Sequence, residues 1–93
     1  MLIGVPKEIK TDEYRVGLTP ESVLALVNGG HQVMVLTNAG LGISKDDQDY
    51  LKAGAEIIAS REEIFDRAEM IIKVKEPPLE ECALLKKDQI LFT

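Results

Sequence analysis

Five short runs of apolar, largely β-branched residues recur along this 93-residue chain, each separated from the next by a stretch carrying helical signals. That alternation constrains the fold more than any other feature. Strands joined through an intervening helix run parallel, and a parallel sheet has to be covered on both faces. The runs are Leu2–Val5, His31–Leu36, Ala55–Ala59, Met70–Val74 and Gln89–Phe92. Between the first two, Thr19 is placed as N-cap and Pro20 at the first helical position, with Val23, Leu24 and Val27 as the apolar face and Gly29-Gly30 as the stop. Ser44 with Asp47 is expected to open a second helix running to about Ala53, with Gly54 ending it. Ser60-Arg61-Glu62-Glu63 has capping-box spacing, so Ser60 should begin a third helix that turns Ile64 and Phe65 inward. Leu79–Leu85 reads as a fourth. The expected fold class is α/β: a Rossmann-like or flavodoxin-like open parallel sheet of about five strands, helices on both faces, with right-handed crossovers.

Length leaves room for one small domain. The 11 basic against 16 acidic residues give a net charge of −5, which argues against nucleic acid or an anionic membrane surface as main partner. No apolar run approaches the ~20 residues that cross a bilayer, and the N-terminus is charged too early for a secretory signal. One cysteine, Cys82, excludes an internal disulfide and fits a reducing, cytoplasmic setting. With one Cys and one His, no protein-only metal site is expected.

Ligands of open α/β sheets bind at the carboxyl ends of the strands. Two unusually charged loops leave that edge: Lys7 to Arg15 after the first strand, and Lys75-Glu76-Pro77-Pro78 after the fourth. Arg15 offers a planar fork for a carboxylate, and Lys75 adds a point charge with three donors. Together they would bind and orient a small carboxylic or 2-oxo acid, and a lysine near a carbonyl also polarises it. Lys73 falls on the same strand face as Lys75 by the period-2 rule and could back up the site. The alternative is a solvated loop in which Lys7, Lys10 and Arg15 pair loosely with Glu8, Asp12 and Glu13.

Taken together, Gly4-Val5-Pro6-Lys7-Glu8, Glu13-Tyr14-Arg15-Val16, Leu18-Thr19-Pro20, Lys73-Val74-Lys75-Glu76-Pro77 and Gln89-Ile90-Leu91-Phe92-Thr93 resemble the N-terminal substrate domain of the alanine dehydrogenase/NAD(P) transhydrogenase family, on its alanine dehydrogenase side. Gly30-His31-Gln32-Val33 and the Ala39-Gly40-Leu41-Gly42 turn fall where that family has similar segments, and the resemblance runs through the whole chain in register. It implies an NAD-dependent enzyme that interconverts L-alanine with pyruvate and ammonia, with Arg15 and Lys75 holding pyruvate. It also implies homo-oligomers. Proton-translocating transhydrogenase shares the fold, but its motif typically lacks the second lysine, so Lys75 favours alanine dehydrogenase. Saccharopine dehydrogenases resemble the chain less well. The family's acid/base histidine would lie a few residues past Thr93, and the NAD-binding domain is absent. Residues 1–93 are therefore expected to be a truncated substrate-binding part, with no catalytic or cofactor-binding residue of their own and inactive alone. From a different class, the chain could be a non-catalytic module that completes a partner chain through the edge at Thr93.

His31 sits at the amino end of its strand, the wrong edge for the crevice, and is assigned no chemistry. Gly40-Leu41-Gly42 lacks the full G-x-G-x-x-G and reads as a turn. Cys82, with no base to activate it, should be a small, partly buried side chain. The Asp46-Asp47 and Glu62-Glu63 pairs sit in first helical turns, where acids complement the helix dipole.

Overall fold

In the computed structural model, which describes residues 1–93, the five runs form one sheet. The strands are β1 (Leu2–Val5), β2 (Gln32–Leu36), β3 (Glu56–Ile58), β4 (Met70–Ile72) and β5 (Ile90–Phe92), in the order β3-β2-β1-β4-β5. Every pairing is parallel. Of the two expected strand orders this is the Rossmann-like one, and its direction reverses at β1. The helices are α1 (Pro20–Asn28), α2 (Asp47–Lys52), α3 (Arg61–Arg67) and a single turn, α4 (Leu79–Cys82). None is long and apolar enough to cross a membrane.

Alternation along the strands divides the core between the two faces. Ile3, Val5, Val33 and Val35 pack on one face with Val23 of α1 and Tyr50 of α2. Met34 and Ile71 pack on the other with Ile64, Phe65 and Ala68 of the α3 region. Gly4 belongs to the second face, where a Cβ would lie 2.7 Å from Ile64 Cγ2 and 2.9 Å from the Ala68 Cβ. Only a residue without a side chain lets α3 come this close to β1.

Thr19 caps α1 as its sequence demands, its side chain accepting from the Ser22 N–H at 3.2 Å, with Pro20 in the first turn. The helix turns Val23 fully inward and half-buries Leu26 and Val27, whereas Leu24, expected on this face, is exposed. Leu26 stands three residues from Val23 and fits the stripe better than its neighbour does. The second helix starts later than expected. Ser44 ends a 3-10 turn (Leu41–Ile43) in left-handed conformation at φ 62°, and Asp46 is the cap. Asp46 and Asp49 form a reciprocal capping box, which outcompetes Ser44. Asp47 reaches back to accept from Thr37 Oγ1 at 2.6 Å and the Asn38 N–H at 2.9 Å. Ser60 caps α3 through the Glu63 N–H, but the Glu63 carboxylate accepts from Arg67 instead of closing the box.

The fourth helix is shorter than the expected Leu79–Leu85, and its buried residue is Glu81. Cys82, expected partly buried, is exposed, with Sγ 3.4 Å from the Pro77 carbonyl oxygen. One helical turn can bury only one side, and that side is taken by an acid with cations to meet. Tyr50 is fully buried and donates its hydroxyl to the Leu18 carbonyl at 2.8 Å, tying α2 to the segment that follows Arg15. Burial pushes that hydroxyl up to about 12.

Candidate functional site

The loops after β1 and β4 leave neighbouring strands at the point where the strand order reverses, which is where an open α/β sheet forms its crevice. A cleft of about 390 Å³ lies there, lined by residues that include Lys7, Glu8, Glu13, Tyr14, Arg15 and Leu41.

The expected strand Met70–Val74 ends at Ile72, and the backbone beyond it turns to a carboxylate. Lys73 still donates its N–H to Phe92 of β5, at 2.9 Å. The next two N–H groups turn to Glu8 instead: Val74 donates to Oε2 at 3.0 Å and Lys75 to Oε1 at 3.3 Å. Strand alternation therefore stops before Lys75, and Lys73 and Lys75 do not share an environment. Lys73 is buried, with Nζ 3.1 Å from Glu81 Oε1 and 3.5 Å from Glu8 Oε1. Arg61 Nη1 approaches the second Glu81 oxygen at 3.9 Å, so two cations balance two carboxylates. Lys73 is structural, and the expectation that it backs up the ligand site is corrected by this enclosure.

Lys75 and Arg15 do come together. The Arg15 guanidinium pairs side-on with Glu13, Nε to Oε2 and Nη2 to Oε1, both at 2.9 Å. The Arg15 backbone N–H donates to the same Oε2 at 2.9 Å. Lys75 Nζ stands 3.7 Å from Glu13 Oε1. Hydrogen bonds from the Arg15 side chain and backbone hold the Glu13 carboxyl down to about 2, with the Lys75 charge adding to the effect. The Arg15 side chain remains 70% exposed, and its Nη1 has no hydrogen-bond partner in the chain. The outer edge of the fork is free to take a second carboxylate.

The loosely paired, solvated loop is only partly what forms. Glu13 does pair with Arg15, but Lys10 pairs with Glu76 at 3.0 Å and thereby bridges the two loops. That contact lowers the Glu76 carboxyl below its ordinary value. The Gly40-Leu41-Gly42 turn makes the 3-10 turn and presses against the first loop, since a Cβ at Gly42 would collide with the Tyr14 carbonyl. His31 lies at the opposite edge of the sheet, beside the terminal amine of Met1 at 3.4 Å. Glu8 and Glu13 were the residues that sequence reasoning missed as site builders. Their only signal was an excess of acids over what Lys7, Lys10 and Arg15 need once Lys10 turns to Glu76, with Lys73 and Lys75 60 or more residues away.

Residues 4–93 match the family model described as Alanine dehydrogenase/PNT, N-terminal domain. An alanine dehydrogenase of Methanococcus maripaludis is 58% identical over all 93 residues, and one of Bacillus subtilis is 53% identical over the same span. The chain covers 25% and 24% of those two proteins, about a quarter of their length. Among solved structures, an L-alanine dehydrogenase superposes with a TM-score of 0.94 at 53% identity, over 98% of this chain and 25% of that one. A transhydrogenase from Sinorhizobium meliloti superposes with a TM-score of 0.90 at 32% identity, over 98% of this chain and 26% of that one.

Proposed function

Since the chain belongs to the alanine dehydrogenase/PNT N-terminal domain family, we propose that it forms the substrate-binding front of an NAD-dependent L-alanine dehydrogenase. The observation that carries this reading is the convergence of Arg15 and Lys75, from loops 60 positions apart, on a single carboxylate. A pair of cations so placed suits pyruvate. The free edge of the Arg15 fork takes the carboxylate by parallel charge-assisted hydrogen bonds. Lys75 binds the keto oxygen and stabilises the negative charge that develops on it as ammonia adds to the carbonyl.

NAD accepts hydride from alanine in this reaction. The Gly40-Leu41-Gly42 turn packs on protein backbone and opens no long helix, and the chain spans only about a quarter of its relatives. We therefore assign the cofactor, and the acid/base group, to residues outside these 93. The same reading makes the full protein a cytoplasmic homo-oligomer whose partner at this site is a small molecule, pyruvate or L-alanine. The transhydrogenase likeness supports a second reading, in which the same domain serves transfer between dinucleotides. Lys75 beside Arg15 favours the dehydrogenase, because that transfer needs no carboxylate clamp.

The test is Arg15→Lys in the full-length protein, assayed for NADH turnover with pyruvate and ammonia. Lysine keeps the charge but cannot bind bidentately. Losing one charge-assisted hydrogen bond, ~1.5–3 kcal/mol, raises the pyruvate KM about ten- to a hundredfold. An unchanged KM removes Arg15 from the site. Absence of turnover in the unsubstituted protein rejects the dehydrogenase itself.

A further inference from the structure

We propose that Glu8 is a positioning residue that acts on the substrate through Lys75. The inference rests on the reading of Lys75 given above. Although Glu8 lines the cleft, both of its oxygens are engaged by the backbone of the lysine segment. Oε2 accepts from the Val74 N–H at 3.0 Å, and Oε1 accepts from the Lys75 N–H at 3.3 Å. The buried Lys73 ammonium stands 3.5 Å from Oε1 and completes the set of groups that hold this side chain in place. The Glu8 residue is only 7% exposed.

Two consequences follow for Lys75. Its backbone is fixed by a side chain from the loop after β1, the loop that also carries Arg15, so the two cations are set in one frame. The capture of both N–H groups also takes Val74 and Lys75 out of the sheet ladder. Lys75 thereby leaves the alternation that buries Lys73 and stands beside Glu13, which lines the cleft, with its own side chain 39% exposed. With an ordinary continuation of β4, Lys75 would share the strand face of Lys73. Glu8 decides which of the two lysines is buried and which is presented.

The experiment uses the full-length protein loaded with NADH and reads pyruvate affinity without ammonia, from the change in NADH fluorescence, so that no turnover is needed. Four proteins are compared: wild type, Glu8→Gln, Lys75→Met and the double variant. Glutamine has the size of glutamate but one acceptor oxygen, so it holds at most one of the two N–H groups. Pyruvate Kd is expected to rise about tenfold in Glu8→Gln, the scale on which losing one hydrogen bond to a charged group acts. The double variant is expected to bind no more weakly than Lys75→Met alone, because a residue that acts through Lys75 has nothing left to position. An unchanged Kd in Glu8→Gln, or an effect that persists in full on top of Lys75→Met, overturns the proposal. If Lys75→Met itself leaves Kd unchanged, the assignment of Lys75 to pyruvate fails, which is a distinct result. Should Glu8→Gln not fold, Glu8→Asp decides by the same criteria: it keeps the charge facing Lys73 but is one methylene too short to span both N–H groups.

Discussion

Replacing Lys73 with methionine should be among the most damaging substitutions of similar size in this chain. The side chain is 1% exposed and its ammonium lies between two carboxylates, Glu81 at 3.1 Å and Glu8 at 3.5 Å, themselves 0% and 2% exposed. At an effective dielectric of about 20, each pair attracts by about 5 kcal/mol, most of it offset by the cost of removing the charges from water. Methionine fills the space but leaves both acids without their shared cation, and breaking a buried pair in this way costs about 3–5 kcal/mol. Against a total of roughly 5–15 kcal/mol for a small domain, that is about a fifth of the stability or more. At about 4 °C or more per kcal/mol, Tm falls by at least about 12 °C. Urea unfolding followed by far-UV circular dichroism measures the difference directly. Lys73→Met combined with Glu81→Leu should recover at least half of the loss, since it removes the buried acid together with its partner. A loss under about 1 kcal/mol in Lys73→Met would refute the reasoning. So would a double variant as unstable as the single one.

Gly4→Ala should cost about 1–3 kcal/mol, because its Cβ meets Ile64 and Ala68 at 2.7 and 2.9 Å and α3 has to move away; a thermal melt unchanged from wild type would show that α3 yields freely. Glu13 should titrate at about 2, against an ordinary value of 4.5, when its carboxyl carbon is followed by NMR. Because its folded value is depressed, the stability that it contributes is complete above pH 4.5 and is lost as the pH falls towards 2. Glu13→Gln should therefore show a smaller loss of stability than wild type between those two pH values, and parallel curves would contradict the pairing with Arg15.

Local signals carried most of the fold. The apolar runs placed all five strands, Thr19 and Ser60 placed two caps, and the helical spacers implied the parallel sheet, because each of these depends on residues close in sequence. Arg15 and Lys75 were singled out from two charged loops at one sheet edge and from the family resemblance, and the structure brings both to Glu13. What stayed hidden depends on partners far apart. Nothing near Glu8 shows that it meets Lys73, 65 positions on, or that it takes the N–H groups of Val74 and Lys75. The inward face of α4 was misread for the same reason, since an acid is buried there only because Lys73 and Arg61 wait for it. Asp46 displaced Ser44 as a cap through a reciprocal bond to Asp49, a competition between two adequate candidates that propensity does not rank.

The position of β1 in the middle of the sheet has a consequence for synthesis. Of these five strands, the first to leave the ribosome is the one that needs partners on both sides, and β4, which pairs with Ile3 and Gly4, follows some 67 residues later. At about 5–20 residues per second, that is a wait of about 3 to 13 s. Throughout it, Leu2 to Val5 has at most one edge paired, and the two halves of the cleft do not yet exist. A nascent chain of this design depends on being kept from its neighbours until its fourth strand is made.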